Sequence, residues 1–337
     1  MTSISELTVT KSDVESFAKS LNDPQWLMDI RTTAMDKVAT LDMPKADKTK
    51  LDKWNFFNVE SLNVDGESFD SLNDLPEDAK QLIDIESVQN IYVQHNNTKA
   101  YLQLDDELIN QGVILQDIKT AVKEHSDLVQ KYFMQDGVKV DENKLTALHA
   151  ALMNGGLFLY VPKNVEVKEP IQMVTIHDDE NASLYNHVLI VAEESAQVTY
   201  VENYISTVDR SNGQLNVVSE VIAKDNAQVT YGAVDFLTEG FTGYVNRRGV
   251  AARDAVIDWA LGLMNDGDTI NDNTTYLMGD NSSSDLKTVV VGRGEQKLNF
   301  TTQIIHYGKD SIGHILKHGV MKDAASSIFN GVGYIKK

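Results

Sequence analysis

The feature that most constrains the fold is an internal repeat. Residues Val191–Tyr200 realign as Ile222–Tyr231 after 31 residues, and again as Val250–Trp259 after a further 28. A fourth copy is read at Val320–Phe329. In each copy apolar residues end a strand and a polar turn carrying a small alanine follows. The next strand then opens with Val/Ile and an aromatic or apolar residue at period two. Such a unit cannot bury its apolar face alone. Stacked units can, so the repeat predicts a β-solenoid whose ends need capping segments.

Strand-length runs rich in β-branched and aromatic residues fit this reading at Leu157–Val161, Ile171–Ile176, His187–Ala192, Gln197–Tyr204, Leu215–Ala223, Gln228–Phe236 and Val256–Met264. Upstream the character differs. Ser12 and Glu15 have capping-box spacing ahead of Val14, Phe17, Ala18 and Leu21, which predicts a short helix. Asp23-Pro24 reads as N-cap and first helical residue of a second helix, with Leu27, Ile30, Ala34 and Val38 on one face and Met43-Pro44 as its stop. The lysine-bearing stretch Lys45–Lys53, with Asp42, Asp47 and Asp52 nearby, reads as a solvated linker into an aromatic anchor at Trp54, Phe56 and Phe57. Strands are predicted at Ser87–Val93 and Ala100–Leu104. Helix is predicted around Leu115, Ile118 and Val122, over Leu128–Phe133 and over Leu145–Met153, ending at Asn154-Gly155-Gly156. The fold class is therefore mainly β, with a helical or mixed α+β region over residues 1–154 and a solenoid over residues 155–337.

With 337 residues and a formal net charge of -20, the chain can bury a core but has no cationic footprint for nucleic acid. The acidic excess is spread along both halves, which suggests a soluble cytoplasmic protein. Residues Met1–Ser20 show no basic segment leading into an apolar run, so no secretion signal is expected. No stretch reaches the roughly 18 apolar residues of a membrane span. The absence of cysteine excludes disulfides, thiolate ligands and a cysteine nucleophile within these residues.

Motifs for chemistry are weak. His314 and His318 have the spacing of a helical zinc pair, with His306 nearby. The flanking isoleucines and Leu316 favour a strand, however, and strand geometry puts residues four apart at about 13 Å. Asn265–Asn273 is oxygen-rich but lacks the glycine and glutamate placement of a calcium loop, and reads as a turn between solenoid strands. His95, His125, His149, His177 and His187 look isolated, and the carboxylates are too dispersed to nominate an acid/base pair. No nucleophile elbow, Walker lysine loop or dinucleotide fingerprint occurs. No catalytic, cofactor-binding or metal residue is assigned, and the chain is not expected to be an enzyme.

Several segments together resemble the SufB/SufD family of iron–sulfur cluster assembly proteins. They are Gly155–Lys163 with Val167 and Pro170, His187–Glu194, Val201–Tyr204, His314, Gly319–Asp323 and Phe329–Gly331. Asp23–Leu27, Arg31, Ala34, Met43–Lys45, Asp47–Leu51 and Trp54–Phe56 resemble the SufD branch of Gram-positive bacteria. The resemblance implies a right-handed parallel β-helix behind a helical domain, in a cytoplasmic scaffold subunit. That subunit would pair with a SufB-like protein and a SufC-like ATPase. The complex would assemble the cluster, and ATP would be used by the SufC-like partner. It also implies further coils and a C-terminal helical segment past Lys337, so the chain is expected to be truncated there. Self-association without the partner is a further expectation, from exposed solenoid edges. The alternatives are a β-helix polysaccharide lyase or hydrolase, which should be exported and carry clustered Asp or Arg on one groove, and a passive solenoid interaction protein.

Overall fold

A computed structural model describes residues 7–51 and 53–336. Asp52, one of the aspartates flanking the lysine-bearing stretch, lies outside the described residues, as do the first six residues of the segment read for a targeting signal. Sixteen strands form two eight-stranded sheets. The first runs β2-β1-β5-β7-β9-β11-β13-β15 and the second β3-β4-β6-β8-β10-β12-β14-β16. Their ranges are β1 Asn90–His95, β2 Thr98–Gln103, β3 Ile114–Asp117, β4 Gly155–Val161, β5 Ile171–His177, β6 Ser183–Ala192, β7 Gln197–Ser206 and β8 Gln214–Ala223. They continue with β9 Gln228–Phe236, β10 Thr242–Ala251, β11 Val256–Leu263, β12 Asp268–Leu277, β13 Ser283–Gly292, β14 Lys297–His306, β15 Ile312–Met321 and β16 Ser326–Ile335. From β4 onward the chain alternates between the sheets, and every pairing between these strands is parallel. This is a two-sheet parallel β-helix.

The sequence repeat is the hydrogen-bonded register. Val191 pairs with Ile222 and Ile222 with Val250 in the second sheet, while Tyr200 pairs with Tyr231 and Tyr231 with Trp259 in the first. The aligned rings stack inside the solenoid, with centroids 5.0 Å apart for Tyr200 and Tyr231 and 4.9 Å for Tyr231 and Trp259. At the intervening corners Ser195, Asn226 and Asp254 have φ of 61°, 61° and 59°, a conformation short polar side chains tolerate. The alanines that follow them, Ala196, Ala227 and Ala255, are fully buried.

Two expectations need correction. The copy at Val320–Phe329 lies on the opposite corner: it joins β15 of the first sheet to β16 of the second, whereas the first three copies run from the second sheet to the first. Its left-handed residue is Asp323, with φ of 55°, one place earlier in the motif. Both corners need a polar turn between apolar strands, so sequence similarity does not tell them apart. Asn265–Asn273 is likewise not a turn as a whole. The turn is confined to residues 264–267, and Asp268–Leu277 is a full-length strand whose Asn271 and Asn273 point inward. Parallel backbone pairing with β10 on one side and β14 on the other outweighs the poor strand propensity of Asn and Asp here.

The upstream helices are α1 (Lys11–Ser20), α2 (Gln25–Val38), α3 (Glu77–Lys80), α4 (Asp106–Asn110), α5 (Ile118–Glu124), α6 (Ser126–Tyr132) and α7 (Lys144–Leu152). The box capping α1 is Thr10 with Asp13, not Ser12 with Glu15. For α2 the cap position falls on Pro24, and the helix ends at Val38, short of Met43-Pro44. Asp23 is thereby free of capping and pairs at 2.7 Å with Arg31, which is buried on the helix face among Leu27, Ala34 and Val38. Leu115 belongs to β3 rather than to a helix, and the first hairpin begins three residues later than predicted. Trp54, Phe56 and Phe57 are buried as expected, in one core with α2, α5, α6, α7 and the outer face of the second sheet. This explains why β6 and β8 are buried at every position: helices cover one face and the solenoid interior the other, so neither strand shows a solvent-facing polar alternation. The hairpin β1–β2 and strand β3 close the near end of the two sheets with antiparallel pairings.

Candidate functional site

Inside the solenoid, parallel register stacks inward residues into files. One file of the first sheet reads Met173, Glu202, Ala233, Leu261, Thr288, Lys317. Glu202 and Asp235, one inward position further on the next coil, face Arg247 of the second sheet. Arg247 Nη2 lies 2.9 Å from Glu202 and 3.3 Å from Asp235, and none of the three exceeds 1% exposure. Tyr200 donates to Glu202 at 3.1 Å and Tyr231 to Ser219 at 3.0 Å. Burial raises the pKa of both carboxyls; Arg247 opposes that, and for Glu202 the neighbouring Asp235 adds to it. Burial works against the charge of Arg247, but Asp235 and Glu202 hold its pKa well above the ordinary value. Two carboxyls therefore share one guanidinium in a medium that resists uncompensated charge.

Polar atoms without a protein partner continue along this interior: Asp235 Oδ2, Arg247 Nε and Nη1, Tyr204 Oη, and the side-chain amides of Asn271 and Asn273. Water is the usual occupant of such places. At the far coil Lys317 points inward with Nζ 3.3 Å from the centre of the Phe300 ring and 4.3 Å from that of Phe329, and burial pushes its pKa down to about 7.

A second buried polar group lies outside the solenoid, at the seam with the helices. His149 of α7 contacts Asn216 at 3.1 Å and His187 of β6 at 3.1 Å. His187 Nε2 lies 3.2 Å from Glu220 of β8, whose carboxylate accepts the backbone N–H of Met134 at 2.7 Å and of Val138 at 3.0 Å. Gly156 passes so close to His187 that a Cβ would meet its carbonyl oxygen at 2.0 Å, and its φ of +122° suits only glycine.

Two of the histidines read as isolated are therefore partners, His149 and His187. His95 contacts Asp178 at 2.6 Å and stacks on Phe69, His125 lies against Phe158, and His177 is buried edge-on to Phe241. His314 and His318 lie on the strand β15 at alternate exposed positions, and His306 is on β14 in the other sheet, beside Ser311. Among the described residues no group of three or more His, Cys, Asp or Glu is placed to hold a metal. The buried carboxylates were missed because acidic residues are abundant. The signal that could have found them is period two: Tyr200-Glu202-Tyr204 and Tyr231-Ala233-Asp235 are alternate, inward positions of aligned strands.

These features define a class: a two-sheet parallel β-helix with a helical layer over one sheet and charged groups sealed between the sheets. Residues 20–173 match the SufBD protein N-terminal region, and residues 174–337 match the SufBD core domain of SUF system FeS cluster assembly. The chain belongs to the SufB/SufD family. It is 60% identical to the iron-sulfur cluster assembly protein SufD of Bacillus subtilis, over 100% of this chain and 77% of that protein. Identity to SufB of the same organism is 25%, over 97% of this chain and 72% of the relative. An iron-sulfur cluster assembly SufBD family protein of Staphylococcus epidermidis is 26% identical, over 97% and 72%. The contrast within one organism places the chain with the SufD branch, and membership sets aside the polysaccharide-lyase alternative. No described helix is long and apolar enough to cross a membrane.

Proposed function

We propose that this chain is a non-catalytic scaffold subunit of an iron–sulfur cluster assembly complex, pairing with a SufB-like subunit and a SufC-like ATPase in the cytoplasm. The observation that carries the reading is the 60% identity to SufD along the whole chain. Its physical support is the solenoid itself, a rigid stack of parallel coils that presents long surfaces and leaves edge strands for further pairing. No cysteine lies within these 337 residues, so none of them supplies a thiolate to receive sulfide or ligate iron, and the cluster is read as cargo rather than as a cofactor resident on them. ATP binding belongs to the SufC-like partner, because no phosphate-cradling glycine loop exists here.

Among the described residues β15 and β16 are the outer members of their sheets and expose Ile312, Leu316, Val320, Phe329 and Tyr334. We further propose that the protein self-associates when no SufB-like partner is present, as solenoids with unpaired edges do. The test is co-expression of the full-length protein with SufB-like and SufC-like subunits. Recovery of one stoichiometric complex supports the reading, and a stable monomer that ignores both partners refutes it.

A further inference from the structure

We infer that the His149–His187–Glu220 network is an acid-sensitive latch that docks the helical layer on the second sheet of the solenoid, holding one shared proton between its two imidazoles. The heavy atoms set the proton positions. Asn216 Nδ2 donates to the Leu145 carbonyl at 3.0 Å, so its Oδ1 is the atom facing His149 and must accept from His149 Nδ1–H. Both oxygens of Glu220 are turned toward the N–H groups of Met134 and Val138, and His187 Nε2 lies 3.2 Å from the carboxylate without an aligned hydrogen bond. Between the rings, His149 Nε2 and His187 Nδ1 are 3.1 Å apart, a separation that needs one proton.

His149 therefore donates from Nδ1 and accepts at Nε2, with one proton between the two rings. A further proton on His149 makes the inter-ring contact donor against donor and adds a charge to a dry site. Burial first, and His187 second, hold the pKa of His149 well below the ordinary histidine value.

The other charged groups around the pair do not relieve an added charge. Arg31 of α2 adds positive potential and is engaged with Asp23 and with the Ala151 carbonyl at 3.1 Å. The segment at residues 134–138 reaches Glu220 through backbone N–H groups. Phe133 covers His187, with ring centroids 4.4 Å apart. The latch thus joins α7, the segment after α6, β6 and β8 at one point, and breaking it frees the helical side first, because β6 and β8 remain paired to their neighbouring coils.

The experiment is amide hydrogen–deuterium exchange on the full chain, wild type and His149→Gln, at pH 7 and pH 4.5 with intrinsic rates corrected. Glutamine keeps a donor and an acceptor but cannot titrate. In the wild type, peptides covering α7 are expected to lose protection about tenfold on acidification while β8 keeps its own, and in His149→Gln the α7 loss disappears. Equal losses in both proteins, no loss in either, or simultaneous loss in α7 and β8 would overturn the latch. Should the variant fail to fold, ¹⁵N spectra of wild-type His149 decide: a proton on Nδ1 with Nε2 unprotonated at pH 7 supports the inference, and a proton on Nε2 refutes it.

Discussion

The solenoid interior and the helix seam both bury ionisable groups completely, but they satisfy them differently. At the seam His149, Asn216 and Glu220 each meet partners from a different element, so the polar atoms specify how the helices sit, although Arg31 Nη2 and His187 Nε2 find no partner. In the interior Glu202, Asp235 and Arg247 match in charge only partly, and several polar atoms find no protein partner. A network closed on itself acts as a positioning device, whereas an open one is kept together chiefly by its single cation.

The largest effect is therefore expected at that cation. Arg247→Met should lower unfolding free energy by about 4 kcal/mol in urea titrations, because two buried carboxyls lose their only counter-charge. Adding Glu202→Gln and Asp235→Asn should recover most of the loss; no recovery would show that packing rather than charge governs the interior. Glu220→Ala comes next, at about 3 kcal/mol, since it strands two backbone N–H groups and the His187 contact. Its loss should appear first in α7 and the segment after α6, and a uniform loss across the solenoid would erase the distinction between the regions.

Acid sharpens the same contrast by a smaller amount. His177 lies inside the solenoid with its pKa lowered to about 4 by burial. A depressed histidine binds its proton less readily folded than unfolded, so the stability it contributes is full above about pH 6.5 and is lost as pH falls toward 4. Between pH 7 and pH 5 this amounts to about 2 kcal/mol, which His177→Gln should remove from the pH dependence of the urea midpoint. The smallest effect belongs to the exposed end of α1. Thr10→Ala should cost about 1 kcal/mol in helical-layer stability by removing the Thr10–Asp13 capping box, with no change in the protection of β8.

Legibility followed periodicity. The copies at Val191, Ile222 and Val250 yielded the true register because inward positions on stacked coils must have compatible size and shape, and Tyr200, Tyr231 and Trp259 state that requirement three times in a row. Asp23 was misread because one residue type serves both as a cap and as a buried counter-ion. Its role became visible only when Arg31 turned inward beside it. His149 and His187 are 38 positions apart and lie on elements of different kind, so no spacing rule links them.

By itself the sequence determined that the chain is a β-solenoid behind a helical segment, that these residues offer no cysteine chemistry, and that the family is SufB/SufD. Tertiary structure alone decided which corner each repeat occupies, which carboxyls share Arg247 and which histidines touch. The reason is physical: repeat and composition are properties of neighbours along the chain, whereas proton sharing and charge pairing depend on distances near 3 Å between residues that only the packing of helices on coils brings together.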